Sequence, residues 1–168
     1  MEYAYHSPLG RMILTSDGKA LTGLWFDGQR HCPDNLTAES THADLTIFKQ
    51  AVNWLDTYFS GKVPGFLPPL RLQTTPFRKT VYEILLTIPY GQTMCYGEIA
   101  QIIAKQRGIA RMSAQAVGGA VGHNPIALII PCHRVIGTDG SLTGYGGGLD
   151  RKTALLNMEN QNKTAGSV

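Results

Sequence analysis

The chain has 168 residues, 43% hydrophobic and 16% charged, and its 15 Lys and Arg against 12 Asp and Glu leave a net charge of +3. That length and apolar content suit one ordinary domain or two small ones with a real core, and exclude a globally disordered chain. No apolar run reaches the ~18 residues of a membrane span, the polar start Glu2-Tyr3-Ala4-Tyr5-His6 is unlike a secretion signal, and Cys32, Cys95 and Cys132 form no C-x-x-C pair. The expectation is a cytoplasmic protein without membrane contact, disulfide framework or metal.

In chain order, the first sixty residues read as short strands and one helix. Tyr3 and Tyr5, then Met12 and Leu14, alternate around the turn signal Ser7-Pro8-Leu9-Gly10, and Asp17-Gly18 precedes the apolar run from Leu21 to Phe26. The spacing of Leu45, Phe48, Val52, Leu55 and Phe59 predicts a helix with Asp44 as N-cap and Gly61 just past its end. Pro64, Gly65, Pro68 and Pro69 mark a linker, dividing the chain into domains over 1–70 and 71–168.

Thr75-Pro76 opens a second set of elements as N-cap and first helical residue. Phe77, Val81, Ile84, Leu85 and Ile88 share one face of that helix, which Pro89-Tyr90-Gly91 stops. A helix from about Tyr96 to Gln106 buries Ile99, Ile102 and Ile103; Ser113 caps another, Ala114 to Gly122, with an exposed side of small residues. The pair reads as a loose helix-turn-helix or a generic helical hairpin. Ile126 to Ile130 is expected as a buried strand, Gly137 to Gly140 as the turn of a wing, and Asp150 to Glu159 as the last helix, followed by a frayed tail from Asn160 to Val168.

Charge divides along the same line. Residues 1–74 carry six basic and seven acidic side chains, whereas residues 75–168 carry nine and five. No Asp or Glu occurs between Glu98 and Asp139, a stretch that holds Lys105, Arg107, Arg111 and Arg134. A polyanion is accepted there without repulsion, although a solvated basic face has the same composition.

Pro131-Cys132-His133-Arg134 is the most unusual segment. A proline that ends a strand is followed at once by a nucleophile, a potential base and a cation, surroundings that favour the reactive thiolate. The strand reading exposes the sulfur at a strand terminus. Adjacent residues of an extended chain point to opposite faces, so His133 reaches Cys132 through a turn or a bridging water. Asn124-Pro125 marks the turn into this segment, with the Asn124 side chain available to fix the backbone.

These motifs resemble those of the O6-alkylguanine-DNA alkyltransferases. The likeness is carried by Ile130-Pro131-Cys132-His133-Arg134-Val135, Asn124-Pro125, Ala116-Val117-Gly118-Gly119-Ala120, Gly144-Tyr145 with Gly147-Gly148, Thr75-Pro76-Phe77, Ile88-Pro89-Tyr90-Gly91 and Tyr96-Gly97. It spans about residues 75 to 159. The resemblance implies an α+β protein with an N-terminal ribonuclease-H-like α/β domain and a C-terminal winged helix-turn-helix domain. It also implies a monomer that enters the minor groove of double-stranded DNA and flips out the damaged nucleotide. Cys132 is then the alkyl acceptor, His133 its base through a water, Glu159 the residue that orients His133, and Tyr96 the donor to the leaving guanine. Asn124 belongs with this group, and Tyr145, Gly147 and Val135 border the guanine and alkyl group. Ser113, Gln115, Ala116, Gly119 and Arg134 face DNA. No cofactor is implied, and each molecule acts once.

Gln115 stands where many members of the family carry an arginine that fills the gap left by the flipped base. Members that bind lesions without repairing them lack the cysteine, which is present here. Two other classes fit parts of the pattern: a winged-helix binder without chemistry, for which Cys132→Ala is harmless, and a cysteine hydrolase, which turns over repeatedly.

Overall fold

A computed structural model describes residues 1–37 and 39–165. The chain divides into two compact units, one of residues 1–73 with Pro125–Ala127, the other of residues 74–124 and 128–168.

In the first unit, β1 (Glu2–Ser7), β2 (Gly10–Ser16) and β3 (Leu21–Phe26) form an antiparallel sheet in that order. The Ser7 hydroxyl donates to the Gly10 carbonyl (2.6 Å) across the first turn, and Asp17 Oδ1 accepts from the Lys19 and Ala20 amides (2.9 Å each) in the second. Opposed pairs Met12–Phe26 and Leu14–Leu24 are buried together with Phe48, Ala51 and Leu55 of α1 (Thr46–Phe59). The helix starts one residue later than expected. Leu45, in extended geometry, is the N-cap and no side chain caps it, so Asp44 does not hold that place; Gly61 lies just beyond the end, with φ +88°. Parallel bridges join Leu21 to Leu70 and Leu24 to Ile126, so a short piece of distant chain lies against β3.

The second unit contains α2 (Pro76–Leu85), β4 (Met94–Cys95), α3 (Tyr96–Arg107), α4 (Ala114–Gly122), β5 (Val135–Ile136) and α5 (Leu149–Ala165). Local chemistry sets the boundaries. Thr75 accepts from the Arg78 amide (3.2 Å), Glu98 from the Cys95 amide (2.8 Å), and Ser113 from the Ala116 amide (3.1 Å). Gly108 closes α3 in the left-handed conformation, φ +64°, which a glycine adopts without a Cβ penalty. Val81, Leu85, Ile99, Ile103, Val117 and Val121 form the core of α2, α3 and α4, while Ile102 is only half-buried.

Three expectations are corrected. Residues 126–130 are buried, but only Ile126 makes a bridge; the chain then turns through Leu128, whose φ is +68°. Burial alone made that run apolar, and it does not distinguish a strand from a packed turn. The turn at Gly137–Gly140 forms, with Gly137 donating to Ser141 and Gly140 to Gly137 (2.8 Å each), yet no second strand follows it among the described residues. Instead β5 pairs in parallel with β4. Lastly, α5 runs through residues 160–165, expected as frayed tail; residues 166–168 of that tail lie outside the described residues.

Candidate active site

Pro131 sits at φ −80°, ψ 64°, the geometry of an inverse γ-turn, and the Cys132 amide donates back across it to the Ile130 carbonyl (2.8 Å). The following residues, Cys132–Arg134, make one turn of 3₁₀ helix. Cys132 is therefore not exposed at a strand end: it is 7% exposed, inside the second unit. The buried Asn124 amide donates to the Ile130 carbonyl (2.8 Å) and also bonds the cysteine side chain. Burial pushes the Cys132 thiol up, while Asn124 and the Lys152 ammonium pull it back.

His133 and Glu159 are fully buried and meet at 2.5 Å, imidazole Nε2 to carboxylate Oε2. Glu159 is held from three further directions: Arg134 Nε donates to Oε1 (2.8 Å), Arg134 Nη2 to Oε2 (3.3 Å) and the Gly91 amide to Oε1 (3.0 Å). Burial raises the Glu159 carboxyl, but His133 and Arg134 overcome it and bring the pKa down to about 2. The same burial pushes His133 below its usual range; Glu159 opposes this, and Arg134 and Lys152 reinforce it, so the ring is neutral. With Nε2–H donating to Glu159, Nδ1 is the acceptor nitrogen.

The structure moves Arg134 from the DNA face to the interior. Its side chain is 10% exposed, and Nη1 donates to the Ile88 carbonyl (2.8 Å), so the guanidinium is committed to buried partners. Val135 is also buried, and its carbonyl accepts from Lys152 Nζ (2.5 Å), which donates as well to the Thr143 carbonyl (3.0 Å). The half-buried Tyr96 donates its hydroxyl to that same Thr143 carbonyl (3.2 Å). Gly144, at φ +69°, would bring a Cβ to 3.3 Å from the Tyr96 hydroxyl, so no larger residue fits there without displacing it. Gly147 is buried; the Tyr145 hydroxyl is buried too, with no hydrogen-bond partner among the described residues.

Lys152 and Tyr82 escaped the sequence reading. Lys152 is 1% exposed, and with Leu155 and Glu159 it makes up the buried face of α5. The signal was present: the two charged residues fall in helical phase with Leu155, where core positions belong. Tyr82, on α2, donates its hydroxyl to the Ala120 carbonyl of α4 (2.9 Å).

The remaining predicted residues lie elsewhere in the unit. Ser113, Gln115, Ala116 and Gly119 are exposed on α4 or its cap, and a Cβ placed on Gly119 would meet nothing within 4 Å. Beside them, Gly97, Ala100, Gln101, Ala104, Arg111 and Ala114 line much of a groove of about 390 Å³. Lys105, Arg107 and Arg111 are exposed, with Arg107 placed over the Phe77 ring at 5.4 Å.

Two separate regions are thus defined, a buried Cys-His-Glu cluster and a small-residue helix face flanked by cations. The sequence of residues 76–161 matches the family described as 6-O-methylguanine DNA methyltransferase, DNA binding domain, and residues 2–72 match its ribonuclease-like domain. A methylated-DNA–protein-cysteine methyltransferase of Mycobacterium tuberculosis is 48% identical over 91% of this chain and 88% of its own, and one of Haemophilus influenzae is 38% identical over 92% and 83%. The crystal structure of Mycobacterium tuberculosis OGT in complex with DNA superposes with a TM-score of 0.81 at 45% identity, covering 96% of this chain and 93% of that one. Fold and matches together define a two-unit DNA-binding repair protein. The chain belongs to the 6-O-methylguanine DNA methyltransferase family. Its activity is direct repair of DNA, by transfer of an alkyl group from O6 of guanine to a cysteine of the protein itself. Among the described residues no helix is long and apolar enough to cross a membrane.

Proposed function

We propose that Cys132 is the accepting cysteine and that His133, Glu159, Asn124 and Tyr96 serve the transfer. The observation that carries this reading is the buried His133–Glu159 pair, 2.5 Å apart, which follows the buried Cys132 directly in the chain. A neutral imidazole tied at Nε2 to a carboxylate supports the reading of His133 as the base for a thiol that burial keeps protonated. His133 Nδ1 takes the Cys132 proton through a water, and Glu159 steadies the ring, the logic of a hydrolase triad. The thiolate attacks the alkyl carbon in line, an S–C bond forms, and the C–O bond breaks with its electron pair going to guanine. Tyr96 supplies a proton to the leaving base. The thioether is stable, so the protein is consumed.

Tyr145, Gly147 and Val135 border the base and alkyl group, and the buried Tyr145 hydroxyl, without a hydrogen-bond partner among the described residues, supports that placement. On the outside, α4 enters the minor groove with Ser113, Ala116 and Gly119 against the backbone, and Gln115 fills the space of the extruded nucleotide. The open face of small residues and the exposed cations favour this over a purely structural hairpin. We place the working division at 1–70 and 71–168, the second part carrying the chemistry, and the protein acts as a cytoplasmic monomer. The test is mass measurement of the Cys132 peptide after incubation with duplex DNA containing O6-methylguanine. A gain of one methyl group on that peptide, with loss of the lesion, is expected; an intact lesion or a methyl group elsewhere refutes the assignment.

A further inference from the structure

Arg134 is turned inward and makes contacts with three residues, Glu159, Ile88 and Tyr90. Its Nε and Nη2 span both oxygens of the Glu159 carboxylate, at 2.8 Å and 3.3 Å, its Nη1 reaches the Ile88 carbonyl at 2.8 Å, and its guanidinium lies 5.6 Å from the centre of the Tyr90 ring. His133 Nε2 meets Glu159 at Oε2, the oxygen that Arg134 Nη2 also contacts. One carboxylate therefore serves a permanent cation and a titratable ring at once.

We propose that Arg134 is a positioning residue for alkyl transfer: by gripping both oxygens of Glu159 and balancing its charge, it keeps the His133 ring neutral and its Nδ1 ready to take the Cys132 proton. The proposal rests on the roles assigned above to Cys132 and His133. A lone carboxylate in a dry interior would draw a proton onto the touching imidazole, and an imidazolium accepts none. A guanidinium suits the task because its planar fork covers two oxygens and still reaches a carbonyl, which an ammonium does not. The other titratable or charged groups around this cluster are Tyr82 of α2, Tyr90, Tyr96 of α3, Cys132, Tyr145, and Arg151 and Lys152 of α5. Of these, Lys152 acts on His133 in the same sense as Arg134, which predicts a partial effect from losing Arg134 alone.

The experiment has two arms, both on the full chain. Imidazole nitrogen NMR follows His133 against pH in the wild type, in Arg134→Gln and in Arg134→Lys. Single-turnover transfer from O6-methylguanine duplex to Cys132 is timed across pH 5.5–9 for the same three proteins. In the wild type His133 stays neutral, with the proton on Nε2, well below the ordinary histidine range. In Arg134→Gln the imidazolium appears about one pH unit higher or more, and the acid limb of the rate profile moves with it. Transfer near pH 6 then falls relative to pH 8.5 by about two-fold or more, beyond any wild-type change, and Arg134→Lys restores part of it. A wild-type His133 already protonated at pH 7 overturns the proposal. So does equal slowing at every pH, the mark of a merely structural role, and so does weakened DNA binding with an unmoved profile, the mark of a DNA contact. If Arg134→Gln does not fold, the wild-type titration and Arg134→Lys decide. A wild type that places no methyl group on Cys132 refutes the acceptor reading separately, since the imidazole titration needs no DNA.

Discussion

Glu159 is the residue on which the buried cluster depends most, and replacing it by glutamine measures that dependence. The change keeps the shape and removes one charge, leaving Arg134 in the interior without its counter-ion, for which a loss of about 3–5 kcal/mol is expected at pH 7. The wild type makes the same point by titration. The folded carboxyl lies at about 2 against an ordinary 4.5, an interval worth about 3 kcal/mol. Because the folded value is depressed, that stabilisation is complete above about pH 4.5 and is lost as pH falls towards 2, about 2 kcal/mol of it by pH 3. His133 adds to the loss from higher pH: its folded value is depressed too, so the unfolded chain binds the proton first once pH drops below 6.5. Urea unfolding followed by circular dichroism between pH 3 and 8 reads both effects, with the slope against urea as a check that the unfolded state is unchanged. A Glu159→Gln protein within about 1 kcal/mol of wild type at pH 7, or a wild type equally stable at pH 3 and pH 7, would refute the assignment of Glu159 as a charged, paired carboxylate.

Cys132→Ala is expected to abolish methyl transfer while Cys32→Ala and Cys95→Ala retain it, as read by lesion loss in the duplex. Asn124→Ala removes a bond to the Ile130 carbonyl and one to Cys132; thermal unfolding should show a loss of about 1–3 kcal/mol, with transfer slowed at neutral pH because the thiol moves further up. Gln115→Arg adds a cation to the exposed face of α4 and should tighten duplex binding, increase the slope of log affinity against log salt by about one and speed transfer. Unchanged affinity and rate would remove Gln115 from any insertion role.

What was legible in the sequence was mostly local. Thr75-Pro76 and Ser113 cap the helices they were expected to cap, because a hydroxyl placed three residues before an amide needs no tertiary partner. The three strands followed from alternation and two turns of definite chemistry. Readings that depended on distant partners fared differently. Ile126–Ile130 is apolar because it is enclosed, and its backbone was free to turn at Leu128. Arg134 lies in an acid-free stretch of sequence, yet its carboxylate partner comes from Glu159, 25 residues on, and draws the side chain inward. Lys152 went unremarked because a lysine on a polar helix is ordinarily solvated, and only the burial of Leu155 and Glu159 shows which side of α5 faces inward. At the site, the Cys132-His133-Arg134 segment announced itself by residue type, but its compact turn and enclosure depend on Pro131 and Asn124 together.

The enclosure of Cys132 bears on how such a protein survives in a cell until it is needed. A molecule that works once has no second chance after a stray oxidation or a collision with a small electrophile. Cys32 and Cys95 are partly open, whereas Cys132 is shielded and its thiol kept protonated by burial. Damage from solution should therefore fall first on the two cysteines that the repair reaction does not use, preserving the fraction of molecules still competent when a lesion arrives.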